Sequence, residues 1–312
     1  MQAGTIRAVI DTDPGIDDAV AILFALASPA FEILGITTVA GNIGITATTR
    51  NAGRILALAG RNAVPVIAGA AAPLARKGFG ASEIHGQDGL GGVPFPEPGA
   101  AAGAGAVAWL ADLLRREPAG SIDLLALGPL TNLANLLTEA PDAARRLRRV
   151  IAMGGAIDEA GNVGPRAEFN MAADPEAARI VLRAGLPLTL IPLDVTRKVR
   201  ATRAWCAGLA DTGLPGAVAS ARLIEAYFHT TTVTGPGAAS RPLHDPCVML
   251  LAEAPALFGT HPLALEVDVG TTRDAGALSR APTGPTVAVA LRVDSAGALA
   301  LLAGRLTGEP AA

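Results

Sequence analysis

Four aspartates, Asp11, Asp13, Asp17 and Asp18, crowd the stretch Val9-Ile10-Asp11-Thr12-Asp13-Pro14-Gly15-Ile16-Asp17-Asp18-Ala19-Val20. Carboxylates this dense repel one another unless solvent dilutes the charge or a cation removes it. Ligands that offer only oxygen suit a hard cation, Ca²⁺ or Mg²⁺. A simpler alternative makes Asp13 a helix cap and leaves Asp17 and Asp18 as solvated first-turn acids, set against the positive end of the helix dipole. That would account for one or two aspartates. Four of them, followed at once by an apolar helix face, favour a metal site. The site is not an EF-hand: Gly15 falls where a third ligand should be, and Ile22 where a bidentate Glu belongs.

The positions of these acids follow from the flanking patterns. Ala8-Val9-Ile10 reads as a buried strand, and Ile16, Ala19, Val20 and Leu23 fall at helical spacing. Pro14 and Gly15 make the turn between them. The acids therefore belong at the C-terminal end of a strand, where open α/β sheets bind ligands. Residues 31–39 predict a second strand ending in Ala40-Gly41-Asn42, residues 46–59 a helix and 64–68 a short strand. This is the βαβα alternation of a parallel sheet. Asn42, again at a strand end, would by itself be an ordinary turn residue.

Residues 69–104 have little periodicity and much Gly and Pro, around Glu83-Ile84-His85-Gly86-Gln87-Asp88-Gly89. A loop of this length with an embedded His and acids predicts an active-site flap. Further strands are expected at 122–127, 150–153, 186–192, 263–269 and 286–293. Helices are expected at 107–116, after Asn132, after Asp174-Pro175, at 201–209, 217–230 and 296–305, and after His244-Asp245-Pro246. The basic run 145–149 reads as a solvated surface or a face toward a partner subunit. The stretches 78–92 and 234–242 read as flexible. The fold expected is α/β: one domain over residues 1–312, a mostly parallel Rossmann-like open sheet flanked by helices, with the active site at the strands' C-terminal ends.

Half of the 312 residues are apolar, ample for a core, and the net charge is −3. The chain has no basic footprint for nucleic acid. No apolar stretch is long and charge-free enough to span a bilayer, so no membrane role is expected. Cys206 and Cys247 are too few for a disulfide framework and read as core residues. The N-terminal residues run straight into a strand without a signal-peptide pattern, which leads one to expect a cytoplasmic protein.

The segments DTDPGIDDA, AGN, EIHGQDGLGG, GPLTN with MGG and AEFN behind it, and HDPC occur in that order from Asp11 to Cys247. Together they closely resemble the nucleoside hydrolases, the inosine-uridine-preferring N-ribohydrolases. The resemblance implies hydrolysis of the N-glycosidic bond of ribonucleosides to free base and ribose. Such a reaction builds oxocarbenium-like charge on the sugar, needs a water on one face and helps the base depart on the other. A cation can hold the water and chelate the ribose diol.

By this resemblance the Ca²⁺ ligands are Asp13, Asp18, Asp245 and the carbonyl of Leu127. Asp13 is the general base, and Asp17 holds a ribose hydroxyl and the water. Ca²⁺ acidifies water less than Zn²⁺ does, so a carboxylate base beside it makes physical sense. Asn42, Asn162, Glu168 and Asn170 resemble ribose ligands; an amide both donates and accepts, which suits hydroxyls. Met153 and Phe169 resemble apolar walls against the sugar, and His85 a flap histidine near the 5′ end or the base. His244 resembles the leaving-group acid, and an unperturbed His titrates near ~6.5. His at this position is similar to the broad-specificity or pyrimidine-preferring branch. Tyr227, His229 and residues 234–242 are expected to select the base. The family also implies a homodimer or homotetramer.

Two other readings compete. A haloacid-dehalogenase-type phosphatase also opens with a strand and Asp-x-Asp, here Asp11 and Asp13, and needs a later Lys, for which Lys77 and Lys198 are the candidates. A nucleoside- or ribose-binding protein without turnover would keep the metal cup alone.

Overall fold

The computed structural model describes residues 4–230 and 239–308. The first apolar run extends into β1, Ile6–Thr12, buried from Ala8 onward. Ala8 and Ile10 join one apolar cluster. Val9 joins another. The strand is thus covered on both faces, which is why it reads as a continuous apolar run.

Chain order continues with β2 (Phe31–Thr38), β3 (Val66–Ala68), β4 (Gly103–Ala104), β5 (Asp123–Ala126), β6 (Arg149–Met153) and β7 (Leu188–Ile191). Then follow β8 (Arg200–Thr202), β9 (Ser240–Pro242), β10 (Phe258–Val267), β11 (Leu278–Arg280) and β12 (Thr286–Val293). One ten-stranded sheet has the order β11-β10-β12-β7-β6-β5-β1-β2-β3-β4. From β12 to β4 all neighbours are parallel. Strands β10 and β11 close one edge antiparallel. The expected single-domain, mostly parallel open sheet is what forms.

The strand order reverses at β1: β2, β3 and β4 lie to one side, and β5, β6 and β7 to the other. The crevice beyond the C-terminal ends of β1 and β5 is therefore the switch point, the ligand site of open α/β sheets. The helix Ile16–Ala27 leaves this crevice and is buried over nearly all its length. It packs against the helices Pro215–Thr230 and Pro246–Glu253.

Several expectations change in detail. The loop 69–104 contains a short helix, Ser82–His85, and the edge strand β4. Residues 200–202 and 240–242 pair as a separate antiparallel ribbon, β8–β9. Strand β10 begins at Phe258, earlier than expected, because its Gly259–Pro262 part is largely exposed and shows no apolar alternation. The basic run is not simply solvated surface. Arg148 and Arg149 both pair with the buried Asp123 carboxylate, at 2.5 and 2.9 Å. Arg146 donates to the carbonyls of Leu114 and Glu117. Both cysteines are free and buried. Among the described residues no helix is long and apolar enough to cross a membrane.

Candidate active site

Pro14 and Gly15 turn the chain sharply after β1, so acids on both sides of the turn face the same crevice. Asp13, Asp17, Asp18 and Asp245 are all buried. This excludes the solvated first-turn alternative, and the helix cap is Gly15 rather than Asp13. Asp18 accepts from the Thr12 hydroxyl at 2.6 Å, the Gly15 N–H at 2.9 Å and the Asn42 side chain at 3.1 Å. Asp13 accepts from the Asn42 N–H at 2.7 Å. Space here is so tight that glycine is required at 41 and 128. A Cβ on either would collide with the Asp13 carboxylate, one with each oxygen.

Ligand oxygens of Asp17, Asp18 and Asp245 lie within 4.8 Å of one another. Asp13 lies outside that grouping, although it raises the pKa of Asp245 electrostatically. Burial, followed by the neighbouring acids, holds Asp13 and Asp245 well above the carboxylate range. Burial moves Asp17 up to about 6. Buried acids this close favour neutral forms unless a cation compensates them. An oxygen-only set of this kind fits a hard cation.

Above the acids lies a cavity of about 630 Å³. Asp17 and Asp245 line it; Asp13 and Asp18 do not. Asn42, His85, Leu127, Met153, Asn162, Glu168, Phe169, Asn170 and His244 line it as well, so nearly every expected site residue converges here. The Asn170 amide donates to the Leu127 carbonyl at 2.6 Å and to the Met153 carbonyl at 3.2 Å. Glu168 caps the helix Phe169–Ala173 by accepting from the N–H groups of Asn170 and Met171, and it also accepts from Gly155 N–H at 2.9 Å. Asn162 accepts from the Phe169 N–H at 2.8 Å. These bonds fix the amides and carboxylate as a rigid wall.

His85 accepts from the Ile16 N–H through Nδ1 at 3.0 Å, which ties the flap to the first turn of the acidic helix. Burial lowers its pKa to about 4. His244 pairs through Nδ1 with the Thr196 hydroxyl at 2.7 Å. Burial, helped by Arg197, His85 and Arg200, lowers it to about 3, so the ring is neutral at pH 7, not near its ordinary value. Of the residues expected to select the base, Tyr227 lines the cavity. His229 does not: it is exposed and lies 3.6 Å from Glu225. Residues 231–238 lie outside the described residues.

Other groups escaped the sequence reading. Asn132 donates to Asp11 at 2.7 Å and to the Thr38 carbonyl at 3.0 Å, and accepts from Ala70 N–H, joining the ends of β1, β2 and β3. Its place in GPLTN was the available signal. Asn51 ties Pro14 to Asp88 across the flap, and Thr196 orients His244; nothing in their local sequence marks them. Arg76, Lys77, Phe79 and Arg273 line the cavity from two loops far apart in sequence. The phosphatase reading loses its nucleophile: Asp11 is buried against Thr37 and Asn132 and does not line the cavity.

The family described as inosine-uridine preferring nucleoside hydrolase matches residues 8–300. The chain belongs to that family. It hydrolyses the N-glycosidic bond of ribonucleosides, as the sugar-sized cavity over the acidic turn requires. A pyrimidine-specific ribonucleoside hydrolase, RihA of Salmonella typhi, is 40% identical over 81% of this chain and 81% of its own. An uncharacterized protein of Schizosaccharomyces pombe is 39% identical over 84% of this chain and 85% of its own. Among solved structures, a purine-preferring ribonucleoside hydrolase from Gardnerella vaginalis superposes with a TM-score of 0.90 at 31% identity, covering 97% of this chain and 98% of that one. A plant nucleoside hydrolase gives 0.88 at 31% identity, covering 97% and 99%. This nucleoside hydrolase thus shares its fold with relatives whose names point to different bases.

Proposed function

We propose that this nucleoside hydrolase prefers pyrimidine ribonucleosides and works with one Ca²⁺ held by Asp13, Asp18, Asp245 and the Leu127 carbonyl. The observation that carries the reading is the buried acidic cluster beneath a cavity walled by Asn162, Glu168 and Asn170. Ca²⁺, when bound, supplies the positive charge that lets these acids stay ionised and polarises the oxygens that reach it. The pyrimidine preference rests on the likeness to RihA and on His244 at the HDPC position.

Each residue then has a task. Asp17, Asn42, Asn162, Glu168 and Asn170 hold the ribose hydroxyls and fix C1′ over the acids. Met153 and Phe169 wall the sugar and exclude water, which strengthens every charge interaction inside. Asp13 takes a proton from the attacking water. His244 delivers a proton to the departing base; its neutral ring keeps Nε2 free while Nδ1 is bound to Thr196. The same reading makes residues 1–312 one functional domain, a homodimer or homotetramer in cytoplasmic nucleoside salvage. The two buried thiols suit a reducing compartment.

The test is release of ribose from a panel of ribonucleosides by protein as purified, after chelation, and after restoring single metals. The expected result is turnover of uridine and cytidine ahead of inosine, lost on chelation and restored by Ca²⁺. Undiminished turnover by metal-free protein would refute the metal assignment, and faster turnover of inosine would refute the base preference.

A further inference from the structure

We propose that the rim of the cavity formed by Lys77 and Arg273 is a subsite for an anionic 5′ substituent, so that ribonucleoside 5′-monophosphates are substrates beside the nucleosides. The inference rests on the ribonucleoside reading above, with the base toward Tyr227 and His244 and the 2′,3′-diol toward the acids. That orientation sends C5′ toward a third wall, built from the flap around Phe79, the Asn162 loop and the loop that carries Arg273.

Three features of that wall point to an anion. Lys77 and Arg273 both line the cavity and are both exposed. Neither side chain has an ion-pair or hydrogen-bond partner among the described residues. Their neighbour Arg76 is engaged: its guanidinium meets Glu176 at 2.7 Å and donates to the carbonyls of Val269 and Gly270 at 2.7 and 3.0 Å. Arg76 therefore stitches the base of the flap to the loop that carries Arg273, and this brings the two unpaired cations to one rim. The Arg273 carbonyl in turn packs so closely on Gly164 that no side chain fits there, which sets the same loop against the one bearing Asn162. The rim between the cations is apolar, with Phe79 and Val163 46% and 41% exposed. A dianion bound between a Lys and an Arg over such a surface makes charge-assisted hydrogen bonds to both. The acid Glu83 also lines the cavity, but it sits on the short helix with His85.

The chemistry is unchanged. The oxygen of water bonds to C1′ as the C1′–N bond breaks and its electron pair leaves with the base. Water loses one proton, the base gains one, and the phosphate ester stays intact. The products are free base and ribose 5-phosphate, and no oxidant or second substrate is needed. A plainer role for the two cations, balancing the acids on the cavity floor, makes no distinction between nucleoside and nucleotide.

The test uses the full-length metal-loaded protein on the four common ribonucleosides and their 5′-monophosphates, measuring ribose and ribose 5-phosphate separately. Ribose 5-phosphate release is expected. In the Lys77→Gln/Arg273→Gln double variant the nucleotide-to-nucleoside ratio of kcat/KM should fall about tenfold, since two exposed charge pairs contribute modestly. Raised ionic strength should lower the same ratio in the parent. Ribose from nucleosides with no ribose 5-phosphate from nucleotides would overturn the subsite and leave the hydrolase reading intact. A ratio unmoved by the double variant would overturn it too. Failure on every nucleoside and nucleotide alike would sink the hydrolase reading and this inference with it.

Discussion

Replacing Gly128 by Ala should disable the enzyme while leaving it folded. The added Cβ would overlap Oδ1 of Asp13 and come 2.9 Å from its Cγ and 3.1 Å from a Val39 methyl. The carboxylate cannot retreat toward the other side. There Gly41 lies equally close, and a Cβ at 41 would overlap Oδ2. The Asn42 N–H also holds that oxygen at 2.7 Å. Asp13 must therefore leave its rotamer or the loop must shift, at about 1–3 kcal/mol for an overpacked core site. In a chain of this size that lowers Tm by only a few degrees. The effect on rate is larger: moving a base by about 1 Å costs on the order of 10²-fold. We expect kcat/KM on the best ribonucleoside to fall about 10²-fold in Gly128→Ala and in Gly41→Ala. The double variant should lose little more than either alone, because both act on one carboxylate. Circular dichroism and thermal melting establish that the variants fold. A folded Gly128→Ala protein within threefold or so of the parent would show that Asp13 has slack there, and the tight clamp on Asp13 would be refuted.

Three further predictions use other parts of the structure. His244→Ala should lose on the order of 10²–10⁴ in kcat on nucleosides, whose bases leave poorly as anions, but little on p-nitrophenyl riboside, whose leaving group needs no proton; equal losses on both would make His244 a scaffold for Asp245. A wall of fixed amides and carboxylates leaves its own groups unpaired when a hydroxyl is missing, so 2′-deoxyuridine should be a worse substrate than uridine by about 10³-fold or more; comparable kcat/KM values would contradict the assignment of Asp17 and Asn170 to the sugar. Arg305 meets Glu253 at 2.6 Å with side chains only 10% and 6% exposed, and Glu253 also accepts from Ser28. Arg305→Ala should therefore destabilise by about 3–5 kcal/mol in urea unfolding, because a buried carboxylate loses its partner; a change below about 1 kcal/mol would mean that solvent reaches Glu253.

The parallel sheet, the strand-end position of the acids and nearly all the residues of the cavity could be read from the chain itself. The apolar run before Asp11 and the helical spacing after Ile16 depend only on neighbouring side chains. So does the order of short motifs at strand ends, and ordered motifs survive where single ones mislead. Elements that lack local pattern were not legible. The exposed start of β10 shows no alternation, and the β8–β9 ribbon forms only when residues 200–202 meet 240–242 across an intervening helix. The protonation state of His244 was equally hidden: its type suggests a proton donor near neutrality, but burial among Arg197, Arg200 and His85 makes it neutral.

Residue type and spacing along the chain thus determined the chemistry available: hard oxygen ligands, amides for hydroxyls and a histidine beside the last acid. The tertiary structure alone decided which of these groups meet, and on what terms. Asp17 and Asp245, far apart in sequence, share a cluster because the strand order reverses at β1. Asp11, two residues from Asp13, is turned instead to Thr37 and Asn132. Lys77 and Arg273 reach one rim only through the bonds of Arg76 to Glu176 and the Val269–Gly270 carbonyls. Local sequence sets what a side chain can do; burial and long-range contacts set its charge, its partners and its direction.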